Sequence, residues 1–172
     1  PLLQEGIAVS SAIMERADDI NYMDRFKVLV LSYEHWKPYE KQMQDGVIEW
    51  VKRGGVLVVL GTDGDELDKT GDFWWQKEGQ TSALDALLTE LDYKIDAGAP
   101  KAFGQGWVFR EKTSPAEFAK SDVAAKIYLP LVKQAFAKTE MRDFKPVSYF
   151  AMKRGDYVIA HSIKDEFYLK GF

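Results

Sequence analysis

The chain has 172 residues, enough for one sizeable core, and its charged fraction of 29% and hydrophobic fraction of 46% are those of an ordinary globular protein. Net charge is −4 with no dense Lys/Arg cluster, which argues against nucleic acid, and no apolar run approaches the length of a membrane span. Cysteine is absent and histidine occurs only as His35 and His161, which removes disulfides, thiolate metal sites and cysteine nucleophiles and leaves too few ligands for structural zinc.

Residues 1–7 (PLLQEGI) read as the last turn of a helix closed by Gly6. Residues 7–14 (IAVSSAIM) mix β-branched and small side chains and are expected to form a strand. The polar stretch that follows predicts a short helical turn. An α/β fold normally begins with a strand ahead of its first helix, so a preceding strand and part of that helix are expected to lie outside the chain. Residues 28–31 (VLVL) and 56–60 (VLVVL) are continuous apolar runs, the signature of parallel strands buried on both faces. Between them Met43, Val47, Ile48, Trp50 and Val51 recur at three- and four-residue spacing, Pro38 suits the region where that helix starts, and Gly54-Gly55 ends it. The stretch from Phe26 to Gly61 is therefore one βαβ unit.

A long polar connection (TDGDELDKTGDFWWQKEGQTS) follows, and long connections inside compact domains tend to carry function or to be disordered. Ser82 or Thr81 caps a helix over residues 83–91 with Leu84, Leu87, Leu88 and Leu91 facing inward. Residues 97–106 read as a loop and Gly106–Glu111 as a strand. Ser114-Pro115-Ala116-Glu117 is a strong helix start. A further helix over residues 122–138 places Ile127, Leu131, Val132 and Phe136 on one face, with a kink or interruption at Pro130. The C-terminal VSYFAMKRGDYVIAHSI alternates with period two around Arg154-Gly155, a hairpin pattern. That glycine also explains the Arg154-Gly155-Asp156 tripeptide as a turn and not as an adhesion signal.

Parallel sheets place ligands just past the carboxyl ends of their strands. The ligand-binding candidates at those ends are Tyr33 and Glu34 after the first strand and Asp63 and Asp65 after the second. Glu34 is a candidate acid or base, with Asp63 as the second carboxylate that glycoside hydrolysis needs at about 5–10 Å; the plainer reading is that it caps or orients the following helix while Trp36 packs. Asp63 and Asp65 start like a calcium loop, but Leu67 and Asp68 break the EF-hand pattern, so no metal is assigned. Trp74 and Trp75, adjacent on a strand or turn, would face opposite ways. One is then a candidate for stacking on a sugar or docking a neighbouring domain. Phosphate-cradling motifs and a nucleophile elbow are absent, so neither a cofactor nor a catalytic residue is assigned.

LLQEGI, VLVLSYEHWKP and IEWVKRGGVLVVLG together resemble the class I glutamine-amidotransferase-like domain attached to glycoside hydrolases, best known as the middle, trimerisation domain of family-42 β-galactosidases. FWW, GWVFREKTSPAEFA and KRGDYVIAHSI are similar to segments of glycosidase-type proteins in which such a hairpin leads into an all-β domain. The resemblance implies a flavodoxin-like three-layer α/β domain over residues 1–145 with a mainly parallel sheet, and a hairpin over residues 146–172. It implies a non-catalytic accessory role, because true amidotransferases use a cysteine that this chain lacks. The partners it implies are other domains of a parent chain, further copies in a homo-oligomer, and carbohydrate. A carbohydrate or small-molecule binding module is the second expectation. A stand-alone hydrolase is disfavoured by the lack of a nucleophile–base pair.

Overall fold

The computed structural model describes residues 2–3, 6–34, 36–94, 99–120, 124–141 and 146–162. The βαβ unit forms as its pattern predicts. A short helix α1 (Ile20–Met23), capped by the Asp19 carboxylate on the Tyr22 N–H, leads into strand β1 (Val28–Ser32). Helix α2 (Lys41–Lys52) buries Met43, Gln44, Val47, Ile48, Trp50 and Val51 along one face. Strand β2 (Val56–Leu60) then pairs in parallel with β1, Val28 opposite Val56 and Ser32 opposite Leu60.

After β2 come a 3-10 turn over Glu66–Lys69, helix α3 (Trp74–Lys77) and helix α4 (Ala83–Glu90). Strand β3 (Lys101–Phe103) returns antiparallel onto strand β4 (Gly106–Glu111), and β4 pairs in parallel with β2. The sheet order is β1-β2-β4-β3. Helix α5 (Pro115–Lys120), a π-helical segment over Ala124–Tyr128 and helix α6 (Leu129–Phe136) follow. A separate two-stranded antiparallel sheet, β5 (Tyr149–Arg154) with β6 (Tyr157–Ser162), turns at Gly155. The chain is thus mixed α/β, with a four-stranded mostly parallel sheet and a C-terminal hairpin.

Both faces of the larger sheet are packed. Leu29, Leu31, Leu57, Val59 and Val108 join side chains of α2 and α4 in one apolar cluster. Val56, Val58, Leu60 and Phe109 join Phe118 and Ala135 in another. This alternation is what a period of two requires of a strand covered on both sides. β1 departs from the expectation: Leu29 and Leu31 are buried, but Val28 and Val30 are only half-buried.

Two local expectations are corrected and two are made more specific. Residues 7–14 pair with no described strand and end in a 3-10 turn over Met14–Arg16; strand propensity has no effect without a partner edge. The expected loop at 97–106 contains β3, because a two-residue turn at Gly104-Gln105 folds Lys101–Phe103 back onto β4 (residues 95–98 lie outside the described ones). The long polar connection holds the Glu66–Lys69 turn and α3, each stabilised by side-chain bonds to its own first turn. The helix expected at 122–138 is interrupted close to Pro130, as that proline predicts: a π segment gives way to α6, with residues 121–123 outside the described ones. Ile127, expected on the inward face, is 37% exposed.

The end of α2 and the turn after it lie tightly on Gly106, where a Cβ would collide with the backbone carbonyls of Gly55 and Val51. Backbone on both sides leaves no flexible atom to give way. Gly106→Ala should therefore cost roughly 2–3 kcal/mol of unfolding free energy in urea denaturation. A loss below about 0.5 kcal/mol would show that this contact is not constrained.

Candidate functional site

The parallel strands β1, β2 and β4 end on one edge, and the residues just beyond them are held by one another. Glu34 reaches from the end of β1 to the end of β2. Its Oε1 accepts the Thr62 N–H at 2.8 Å and the Thr62 hydroxyl at 3.4 Å. Gly61 makes room for it: φ is +108°, and a Cβ there would stand 2.7 Å from the Glu34 carboxylate. Glu34 thus ties two strand ends together across the edge.

Beside it lies a buried ion cluster that the chain order hides. Lys37 Nζ stands 2.9 Å from Asp65 Oδ2 and 3.0 Å from Asp68 Oδ2. The Lys37 and Asp68 side chains are 9% and 4% exposed. A buried ammonium is tolerated only when carboxylates replace its water, and here two do. Both aspartates also fold the loop: Asp65 accepts the Leu67 N–H at 2.8 Å, and Asp68 accepts the Asp65 N–H at 2.9 Å. Asp68 Oδ1 further accepts the Ala83 N–H at 3.3 Å. Its carboxylate therefore sits at the N-terminus of α4, the place where a helix attracts an anion. Ser82 caps the same helix through the Asp85 N–H at 2.9 Å and donates to the Asp63 carbonyl at 3.3 Å. The space left between Tyr33, Lys37, Thr62 and Asp68 is about 10 Å³, the scale of a single water.

Asp63 is engaged from β4. The Arg110 guanidinium, 2% exposed, stands 3.2 Å from Asp63 Oδ1 and donates to the carbonyls of Gly61 and Glu111. Burial pushes the Arg110 pKa down, and the Asp63 charge works against that shift. Lys112 Nζ adds a longer contact of 3.7 Å to Asp63 Oδ2. Glu34 and Asp63 therefore share the edge, each on a partner of its own. Asp65 belongs to the Lys37 cluster.

Trp74 and Trp75 lie on a helix, not on a strand or turn, so their side chains point about 100° apart. Trp75 is fully buried and stacks on Phe73 with ring centroids 4.3 Å apart. Trp74 is half-buried and edge-on to Trp75. Its indole N–H donates to the Pro38 carbonyl at 2.8 Å, and Lys41 Nζ lies 5.5 Å from its ring centroid. Of the pair, only Trp74 has surface to offer.

Tyr33 is buried against Trp36, with ring centroids 5.9 Å apart. Burial pushes its hydroxyl pKa up, and the charge of Glu90 adds to the shift. The residues that organise this edge and escape sequence inspection are Lys37, Asp68, Ser82 as a bridge, and Arg110. Two of them leave a trace in the sequence: Asp65-x-x-Asp68 has the spacing of a capping box, and Arg110 interrupts an apolar strand. Among the described residues no group of three His, Cys, Asp or Glu side chains is placed to hold a metal ion, and no helix is long and apolar enough to cross a membrane. Compared with known proteins, the chain matches no family model, no curated protein and no solved structure.

The buried Tyr33 hydroxyl makes alkaline pH a direct probe of this edge. Its folded-state pKa lies above the ordinary value of 10.0, so its contribution to stability is complete below pH 10 and is lost as pH rises further and the unfolded state ionises first. Tyr93 and Tyr128 are shifted the same way by burial. Tyr33→Phe should therefore flatten, without abolishing, the fall in stability above pH 10 measured by thermal melts. Parallel wild-type and variant profiles would contradict this burial.

Proposed function

We propose that this chain is a non-catalytic accessory domain of a carbohydrate-active, multidomain protein, of the flavodoxin-like, three-layer, amidotransferase-like type, and that its work is contact between domains or subunits. One observation carries the proposal. The charged side chains beyond the strand ends are taken up by the chain's own pairs: Glu34 on Thr62, Lys37 on Asp65 and Asp68, and Asp63 on Arg110; an open depression of about 390 Å³ lies beside them, lined by Asp63, Asp65, Glu66 and Ser82. An acid or base must reach substrate in its working geometry, and here Asp65 and Asp68 are held on Lys37, Glu34 on Thr62, and the half-exposed Asp63 on Arg110. The absence of cysteine removes the amidotransferase nucleophile.

A contact role is supported by what the fold leaves uncovered. Met152, Tyr157 and Ile159 of the hairpin are 54%, 76% and 57% exposed. A two-stranded sheet is marginal on its own and gains stability by packing its apolar residues on something else. A binding module stacking sugar on its tryptophans would have to rely on Trp74, whose indole N–H is already bonded.

Purified alone, the chain should hydrolyse no aryl glycoside and should sediment as a dimer or larger species at micromolar concentration. A monomer that turns over such a substrate, with turnover lost in Glu34→Gln or Asp63→Asn, would replace the accessory-domain proposal with an enzyme. Tryptophan fluorescence quenched by a sugar and restored in Trp74→Ala would replace it with a binding module.

A further inference from the structure

β1 forms the outer edge of the four-stranded sheet, and no described strand pairs with its far side. The Lys27 carbonyl accepts the Val56 N–H. Alternation along the ladder then turns the backbone groups of Leu29 and Leu31 toward β2 and those of Val28, Val30 and Ser32 outward. The strand itself (VLVLS) has no charge and no proline, the devices by which exposed edges are normally protected.

Facing this edge is a cavity of about 730 Å³. Its far wall is the unpaired stretch over residues 7–12. On one sheet face it is bounded by Met14 and Trp36, which pack on the cluster of α2 and α4. On the other face it is bounded by Tyr128, Val132 and Phe136. It therefore passes through the thickness of the sheet. Its lining runs the whole length of β1, from Val28 to Ser32. Arg25 and Lys27 stand on the wall at the amino end of β1; both are exposed, and neither ion-pairs with a described residue. Glu15 is the one carboxylate among the lining residues.

We propose that this slot is a strand-docking site, filled by one extended apolar strand of a partner polypeptide. The strand completes the sheet at β1, bonds to the outward groups of Val28, Val30 and Ser32, and places an acidic residue beside Arg25 and Lys27. The proposal rests on the domain-contact function and names the surface for it. Recognition is of the β-addition kind: the backbone gives affinity, and the apolar walls select alternate side chains.

The test uses the whole chain and a capped heptapeptide, Asp-Val-Ile-Val-Ile-Val-Asp, followed by amide hydrogen exchange. Saturating peptide should slow exchange at Val28, Val30 and Ser32 by about tenfold or more and leave Leu29 and Leu31 unchanged. A peptide N-methylated at alternate residues should lose the effect. Val30→Pro removes one outward N–H and none of the β2 ladder, so it should melt near the wild-type temperature and no longer bind. Unchanged exchange, or binding indifferent to N-methylation, overturns the proposal. Val28, Val30 and Ser32 amides already protected without peptide also overturn it: in a dimer the occupant is a second copy, and in a monomer it is the chain's own residues 7–13. A chain that self-associates but shows unchanged exchange loses the slot and keeps the contact function.

Discussion

A lysine ammonium held between two aspartates at the carboxyl edge of the sheet is the interaction on which the local structure depends. Lys37 follows β1, and Asp65 and Asp68 follow β2, so the pairing joins the two connections that leave the parallel strands. The same Asp68 carboxylate accepts from the first residue of α4, which orients that helix against the edge. Removing the lysine would take this counter-charge from the buried Asp68 carboxylate, and removing Asp68 would uncap a helix as well as a loop. The geometry explains how an acidic connection of this length is ordered, with a water-sized gap beside Lys37 and an open depression of about 390 Å³ beside Asp63, Glu66 and Thr81.

The unit from β1 to β2 was legible because each of its parts is specified locally: two continuous apolar runs, one amphipathic helix and a Gly-Gly stop. The Ser82 cap, the leucine face of α4, the Pro115 helix start and the C-terminal hairpin were legible for the same reason. β3 was not, since three residues carry no period and the strand exists only because β4 offers an edge. The stretch over residues 7–14 is the converse, a strand-like sequence that pairs with no described strand. Tyr33, Glu34, Asp63 and Asp65 were placed correctly at the strand ends, but proximity to an edge says nothing about occupancy. Their partners Lys37, Arg110 and Thr62 come from other connections and other strands, and such long-range pairings leave almost no signature in a linear pattern.

At the carboxyl edge, where parallel sheets usually bind ligands, the charged side chains are paired with one another or with the backbone. Among the described residues the lateral edge at β1 is unpaired, Val28 and Val30 of that strand are only half-buried, and Met152, Tyr157 and Ile159 of the hairpin are exposed. Paired charge at the first place and exposed apolar surface at the second are the two features on which the proposed contact role rests.

The most direct measurement of this account is a double-mutant cycle on unfolding free energy with Lys37→Met and Asp68→Asn. Each single change should cost about 3–5 kcal/mol, and the pair together should cost about 2 kcal/mol or more less than the two added, because the second change removes the partner the first left uncompensated. Additivity within about 0.5 kcal/mol would contradict the account and would mean that the carboxyl edge is not held closed by this buried pair.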